Sequence, residues 1–190
     1  MYEIRMHGRG GQGVVMAAGM LASALVAEGW NVVAIPQFGF ERRGAPVAAY
    51  LRIDKHPIRA MTNVYAPDCV ICIDPTVGRA ADIFAGIRPG GTLLLATARP
   101  LDELQIPSVI STVGLCDAVS IARGIFGRPI TNTVMLGAFA RGTGLVSLEA
   151  LQQAIRDSSM RDAGLEQNMM ALDSGYKLTN VHDLSEKVAV

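Results

Sequence analysis

The chain opens Tyr2-Glu3-Ile4-Arg5-Met6-His7-Gly8-Arg9-Gly10-Gly11-Gln12-Gly13-Val14-Val15-Met16-Ala17-Ala18, and this stretch decides the fold class. Residues 2–7 alternate in polarity, which predicts a strand. Residues 8–13 form a glycine loop. Residues 14–28 are apolar nearly all round and predict a buried helix closed by Gly29. A second β-rich run follows at 31–36. Strand, glycine loop, helix and strand in that order imply a right-handed βαβ unit and a parallel sheet.

Working outward, strands are expected at 47–53, 69–74, 92–97 and 107–111. Helices are expected at 76–86, 115–125, 133–141, from Ser147 to about 157, and from 162 to about 178. Gly90-Gly91 marks the turn before the 92–97 strand. The pattern predicts an α/β, three-layer, Rossmann-like domain over 1–190, with a mostly parallel sheet and a helical C-terminal third packed back on it.

Composition agrees and excludes several function classes. The 190 residues are 50% hydrophobic and 18% charged, with mean hydropathy +0.31, which excludes intrinsic disorder. Seventeen basic and seventeen acidic side chains cancel, so no overall field draws in nucleic acid or an anionic membrane. The uncharged run 13–27 has 15 residues, short of the roughly 20 that span a bilayer. No secretory signal pattern opens the chain, and a cytoplasmic location is expected. The apolar surplus points to a surface covered by a partner.

Gly8-Arg9-Gly10-Gly11-Gln12-Gly13 fits G-x-G-x-x-G between a strand and a helix. Such a loop lets a backbone approach an anion at a helix N-terminus, with Arg9 and Gln12 as further donors. The alternative is a tight turn with close helix packing. The nicotinamide form wants an acid at the end of the second strand, and here that strand ends Ile35-Pro36-Gln37. A P-loop is excluded, because Val14 and Val15 stand where Lys and Ser/Thr are required.

The segment Phe38-Gly39-Phe40-Glu41-Arg42-Arg43-Gly44-Ala45-Pro46 lies between two apolar strands. Arg42 and Arg43 suit a phosphate or carboxylate, or else a solvated turn; the two aromatics favour an interface. Asn132 begins a helix, where it either caps or offers its amide to a ligand. Thr131 is the other capping candidate. Asp74-Pro75 ends a central strand, as a cap or a ligand-facing acid. Cys69 and Cys72 are spaced C-x-x-C but lie within a strand, where i and i+3 face opposite ways, so both are expected to be buried packing residues. His7 is expected to be structural. No catalytic triad, HExxH or paired-carboxylate arrangement is present.

Four blocks in order carry a family likeness: 8–18, Glu41 to Val47, Asn132 to Arg141 with Leu145 following, and Asn168-Met169-Met170-Ala171-Leu172-Asp173-Ser174-Gly175-Tyr176. Together they resemble the γ subunit (the third domain in fused versions) of the 2-oxoacid:ferredoxin oxidoreductases. The resemblance implies a subunit of a complex that converts a 2-oxoacid and CoA to acyl-CoA, CO2 and two electrons. It implies thiamine diphosphate and iron–sulfur clusters in α-, β- and δ-type partner subunits, none held by this chain alone, with ferredoxin or another acceptor beyond them. It implies that this chain helps close the site and accommodate CoA, through 8–13, Arg42, Arg43 and Asn132, with no catalytic residue of its own. The family's segment before the arginines often reads Gly-Pro-Glu. Here it reads Gly39-Phe40-Glu41, which leaves room for a larger or aromatic 2-oxoacid. The competing readings are a stand-alone dinucleotide-binding protein and a purely structural assembly subunit.

Overall fold

The structure is a computed structural model and describes residues 1–36, 44–158 and 164–185. Strand β1 (Tyr2–Arg9) is buried on both faces. Ile4 and Met6 turn to one core, and Glu3, Arg5 and His7 turn to the other side of the sheet. Helix α1 (Val14–Ala27) buries Val14, Ala17, Ala18, Leu21, Ala24 and Leu25, the i, i+3, i+4 stripe of a helix lying on a sheet.

β2 (Asn31–Pro36) follows, but it is not β1's neighbour. β3 (Pro46–Asp54) lies between them and runs antiparallel to both. The expected βαβ unit therefore spans an inserted strand. The connection from Pro36 to Pro46 is too short for a helical crossover, so β3 has to return antiparallel. It takes the inner position because its residues 48–53 are all buried, whereas β2 is half-exposed and suits an edge.

β4 (Cys69–Cys72), β5 (Gly91–Ala96) and β6 (Ile110–Cys116) extend the sheet in parallel from β1, and β7 (Asn180–Asp183) closes it antiparallel to β6. The order is β2-β3-β1-β4-β5-β6-β7. Five strands run one way and two the other, so the fold is α/β with a mostly parallel mixed sheet.

Three sequence expectations need correction. The helix expected over 76–86 is a single 3-10 turn, Val77–Arg79. Gly86 adopts φ 69°, and a Cβ there would lie 2.2 Å from the carbonyl oxygen of Tyr65, so the chain leaves helical geometry to pass close under that loop. The strand expected over 107–111 is β6, and helix α2 (Ala118–Phe126) starts only after Asp117, whose carboxylate accepts from the Ser120 amide at 3.2 Å. Tertiary pairing with β5 claims Leu115 and Cys116, which local propensity would give to the helix. The short exposed strand β7 had no readable alternation.

Helices α3 (Asn132–Thr143), α4 (Leu148–Asp157) and α5 (Leu165–Leu178) pack with α1 and α2 on one sheet face. α3 and α5 cross through glycine. A Cβ on Gly137 would lie 2.0 Å from the Leu172 carbonyl oxygen, and one on Gly175 would lie 1.9 Å from that of Val134. The other face carries a second core around Val70, Cys72, Leu93 and Val113, covered by irregular segments. There, Glu3 holds Arg52 at 2.7 Å and Arg88 at 2.8 Å, and Arg88 also reaches Asp68. Among the described residues, no helix is long and apolar enough to cross a membrane.

Candidate functional site

β1 continues to one side through β3 and β2, and to the other through β4, β5 and β6, so the sheet has its switch point between β1 and β4. Crevices outside the carboxyl ends of strands at such points are where open α/β sheets bind ligands. The loops that emerge here are the glycine loop after β1 and Asp74-Pro75-Thr76 after β4.

Asp74 joins the two. It accepts from the Thr76 amide and from the Thr76 hydroxyl, both at 2.6 Å, and from the side-chain amide of Gln12. Burial pushes the Asp74 carboxyl up, but the bonds from Thr76 and Gln12 and the charge of Arg9 outweigh it and hold the group below its usual range. Gln12 folds back on its own loop, its Oε1 accepting from the Arg9 amide at 2.7 Å.

The sequence reading gave Arg9 free donors for a ligand. Instead, its Nε donates to the Thr76 hydroxyl at 2.9 Å, and its other nitrogens donate to the Gly44 and Thr76 carbonyls. Arg9 is a strap across three loops. The Gly10 amide donates to Ala45 and the Gly44 amide to Gly10, so the glycine loop extends the β1–β3 ladder.

The glycines have separate physical roles. A Cβ on Gly8 would lie 2.5 Å from Val14 Cγ2 and 2.7 Å from Ile73 Cγ1, so Gly8 lets α1 pack down on β1 and β4. Gly13 caps α1 at φ 76°, and a Cβ there would lie 2.6 Å from Asn132 Nδ2. Asn132 is buried, its Oδ1 accepts from the Thr133 amide at 2.9 Å, and its amide nitrogen sits against the glycine loop. Thr131 does not cap α3 with its side chain. Its hydroxyl donates to the Ile73 carbonyl at 2.6 Å and pins α3 to the end of the strand before Asp74.

With those bonds made, the amides of Gly11, Gly13, Val14, Val15 and Met16 donate to no protein group among the described residues. They border a cavity of ≈ 260 Å³ lined by Arg9, Gly10, Gly11, Gly13 and Val47. Unpartnered amides at the N-terminus of a 14-residue helix form an anion-binding arrangement, with no acidic side chain in the first turn to compete.

The structure thus brings Gly8, Arg9, Gly10, Gly11, Gln12, Gly13 and Asn132 together. Arg42 and Arg43, with residues 37–41, lie outside the described residues. Sequence reading left Asp74 undecided between cap and ligand; its place as the bridge was signalled by an Asp-Pro pair ending an apolar strand. His7 is buried, its Nε2 has no hydrogen-bond partner, and burial, with the nearby charge of Arg5, pulls its pKa down to about 4. Cys69 and Cys72 belong to cores on opposite faces. Burial pushes the Cys72 thiol up to about 11, and Cys116 is raised by the same cause.

Residues 3–178 match the family described as pyruvate ferredoxin/flavodoxin oxidoreductase. The chain belongs to this family. Within it the chain is of the γ type. It is 60% identical over 189 residues, 100% of both chains, to the γ subunit of NADH-dependent phenylglyoxylate dehydrogenase from Aromatoleum evansii. It is 46% identical over 186 residues to the common γ subunit of the pyruvate/ketoisovalerate oxidoreductases of Thermococcus kodakarensis, covering 97% of this chain and 100% of that one. Its fold superimposes on pyruvate oxidoreductase subunit PORC of Thermotoga maritima with a TM-score of 0.80 at 35% identity, covering 96% of this chain and 98% of that one. Three of the sequence blocks have a structural role: Gly137 and Gly175 form the α3–α5 crossing, and the first block is the glycine loop with its helix.

Proposed function

We propose that this γ subunit serves a complex that oxidatively decarboxylates an aryl 2-oxoacid with CoA. A 2-oxoacid anion and the CoA thiol give acyl-CoA, CO2, a proton and two electrons. The observation that carries the reading is full-length likeness to a phenylglyoxylate dehydrogenase γ subunit, joined to an anion-ready helix N-terminus at the sheet's switch point. Phe40 in place of the family's proline supports a substrate larger than pyruvate.

Thiamine diphosphate supplies the carbanion chemistry when bound, and iron–sulfur clusters take the electrons; both belong to α-, β- and δ-type partners. The described residues of this chain do not suit a cluster: its three cysteines are buried, and no group of three or more His, Cys, Asp or Glu converges. This chain's part is positional. The free amides of 11 and 13–16 receive a phosphate of CoA, Asp74 and Arg9 keep that loop rigid, and Arg42 and Arg43 are the sequence's further candidates for binding CoA. Electrons leave through another subunit, to ferredoxin or to a nicotinamide as in the relative's name. The complex is cytoplasmic, and residues 1–190 act in it as one γ-type domain.

The test is anaerobic purification of the complex through this chain, followed by acyl-CoA formation with phenylglyoxylate, pyruvate, 2-oxoisovalerate and 2-oxoglutarate. Phenylglyoxylate giving the highest kcat/KM is expected; preference for an aliphatic oxoacid overturns the substrate assignment. Arg42→Ala with Arg43→Ala is expected to raise the KM for CoA in an intact complex. Dissociation of the complex makes the loop a subunit interface instead, and unchanged kinetics remove it from the site.

A further inference from the structure

We infer that a second cavity, at the carboxyl ends of β4 and β5, is a binding site for a small monocarboxylate with a planar apolar body. The inference is independent of the oxidoreductase reading. The cavity lies beyond the Asp74–Thr76 turn from the glycine loop, and Cys72, on the second-core face of β4, lines it. The glycine-loop cavity is lined from the other side by Val14, Val15 and Met16 of α1.

The volume is ≈ 610 Å³, within the ~300–1,000 Å³ range of small-molecule sites and ample for a two-ring body. Its walls divide by chemistry. Ile83, Phe84, Leu95 and Leu104 supply apolar lining, one of them aromatic, and Arg79 and Arg99 stand among the polar lining. Bonding within the protein removes most of those polar groups from contention. Arg99 is held by Glu103, through an ion pair at 3.3 Å and a bond to the Glu103 carbonyl. The Thr97 hydroxyl accepts from the Arg99 amide at 3.1 Å, and the Thr76 hydroxyl is used by Asp74 and Arg9. Asp117 caps α2.

Arg79 remains as the cation of the lining that makes no side-chain hydrogen bond or ion pair among the described residues. It offers one planar fork of donors, the geometry that takes a carboxylate through two parallel bonds. One cationic fork beside apolar lining selects a single anionic end on an apolar body. An inorganic anion would leave that lining wet, and a neutral ring would leave the fork unused.

The experiment is a fluorescence titration of the full chain with 2-naphthoate, against 2-naphthamide (the body without charge) and acetate (the charge without body). Two variants at exposed positions accompany it, Arg79→Ala to remove the fork and Ser120→Trp to fill the mouth. Saturable naphthoate binding is expected, at least about tenfold tighter than either control, as for a charge-assisted bond. Arg79→Ala is expected to weaken it about tenfold or more, and Ser120→Trp to abolish it. No saturation by about 1 mM overturns the inference. So does equal affinity for the amide, and so does wild-type binding by both variants, which would place the dye on another apolar surface.

Discussion

Replacing Gly175 by alanine tests whether α3 and α5 meet backbone to backbone. The new methyl carbon would lie 1.9 Å from the Val134 carbonyl oxygen, whereas ordinary contact begins at 3.4 Å. The helices must part by about 1.5 Å, because a carbonyl within a helix cannot rotate aside as a side chain can. Parting them loosens Val134, Ala138, Phe139, Ala171 and Leu172, each fully buried. Overpacking costs about 1–3 kcal/mol when side chains can adjust. With backbone as the obstacle the upper end applies, and it outweighs the ~1 kcal/mol that alanine gains over glycine in a helix. A net loss of about 2 kcal/mol is expected, which for a chain of this size lowers Tm by roughly 4–8 °C. Gly124→Ala is the matched control: Gly124 lies within α2 with no atom near its missing Cβ, so it should raise Tm by roughly 2–4 °C. Thermal unfolding of the three proteins by circular dichroism reads the result. If Gly175→Ala melts with Gly124→Ala, the helices do not cross as described.

Other outcomes follow from the buried polar groups. His7 has a native pKa of about 4 against ~6.5 unfolded, so its contribution is complete above pH 6.5 and is lost as pH falls toward 4, by about 3 kcal/mol; urea unfolding from pH 7.5 to 4.0 should show this acid limb, and His7→Phe should lack it. Asp74→Asn keeps the shape but removes the charge that gathers Thr76, Gln12 and Arg9, and should cost about 1–3 kcal/mol; amide hydrogen exchange should quicken in residues 9–13 and 74–77 more than in α5. Arg52→Met leaves Glu3 buried with only Arg88, and a loss of about 3–5 kcal/mol is expected; a denaturation midpoint unchanged from wild type would mean that the pair is not desolvated.

The glycine loop and the parallel core were legible because their signals are local: a strand's alternation, six residues of loop and an uncharged helix. The opposed cysteines were legible too, since strand period alone places Cys69 and Cys72 on different faces. The insertion of β3 was not, because strand order depends on which strand buries best, a property of pairs rather than segments. The helix expected at 76–86 failed for a similar reason: Gly86 is shaped by a carbonyl twenty-one residues earlier in the chain, at Tyr65. Within the candidate site, the sequence named residues that the fold brings together, but not the partners they bond. Arg9 looked like a free cation in sequence, yet Thr76 and Gly44 are brought to it only by the fold. Gly137 and Gly175 were visible as members of family blocks, but a helix crossing has no signature in either helix alone.

The insertion of β3 has a consequence for how the chain is made. Every ladder among β1, β2 and β3 closes within the first 54 residues, so that half of the sheet can form while the remainder is still being synthesised. β1 then presents a bare parallel edge, and its partner β4 is complete only at Cys72. At about 5–20 residues per second the gap from Asp54 to Cys72 lasts roughly 1–4 s, during which a nascent apolar edge stands open beside the ribosome. The chain that later joins a multi-subunit assembly thus passes first through an interval when the wrong strand could join it.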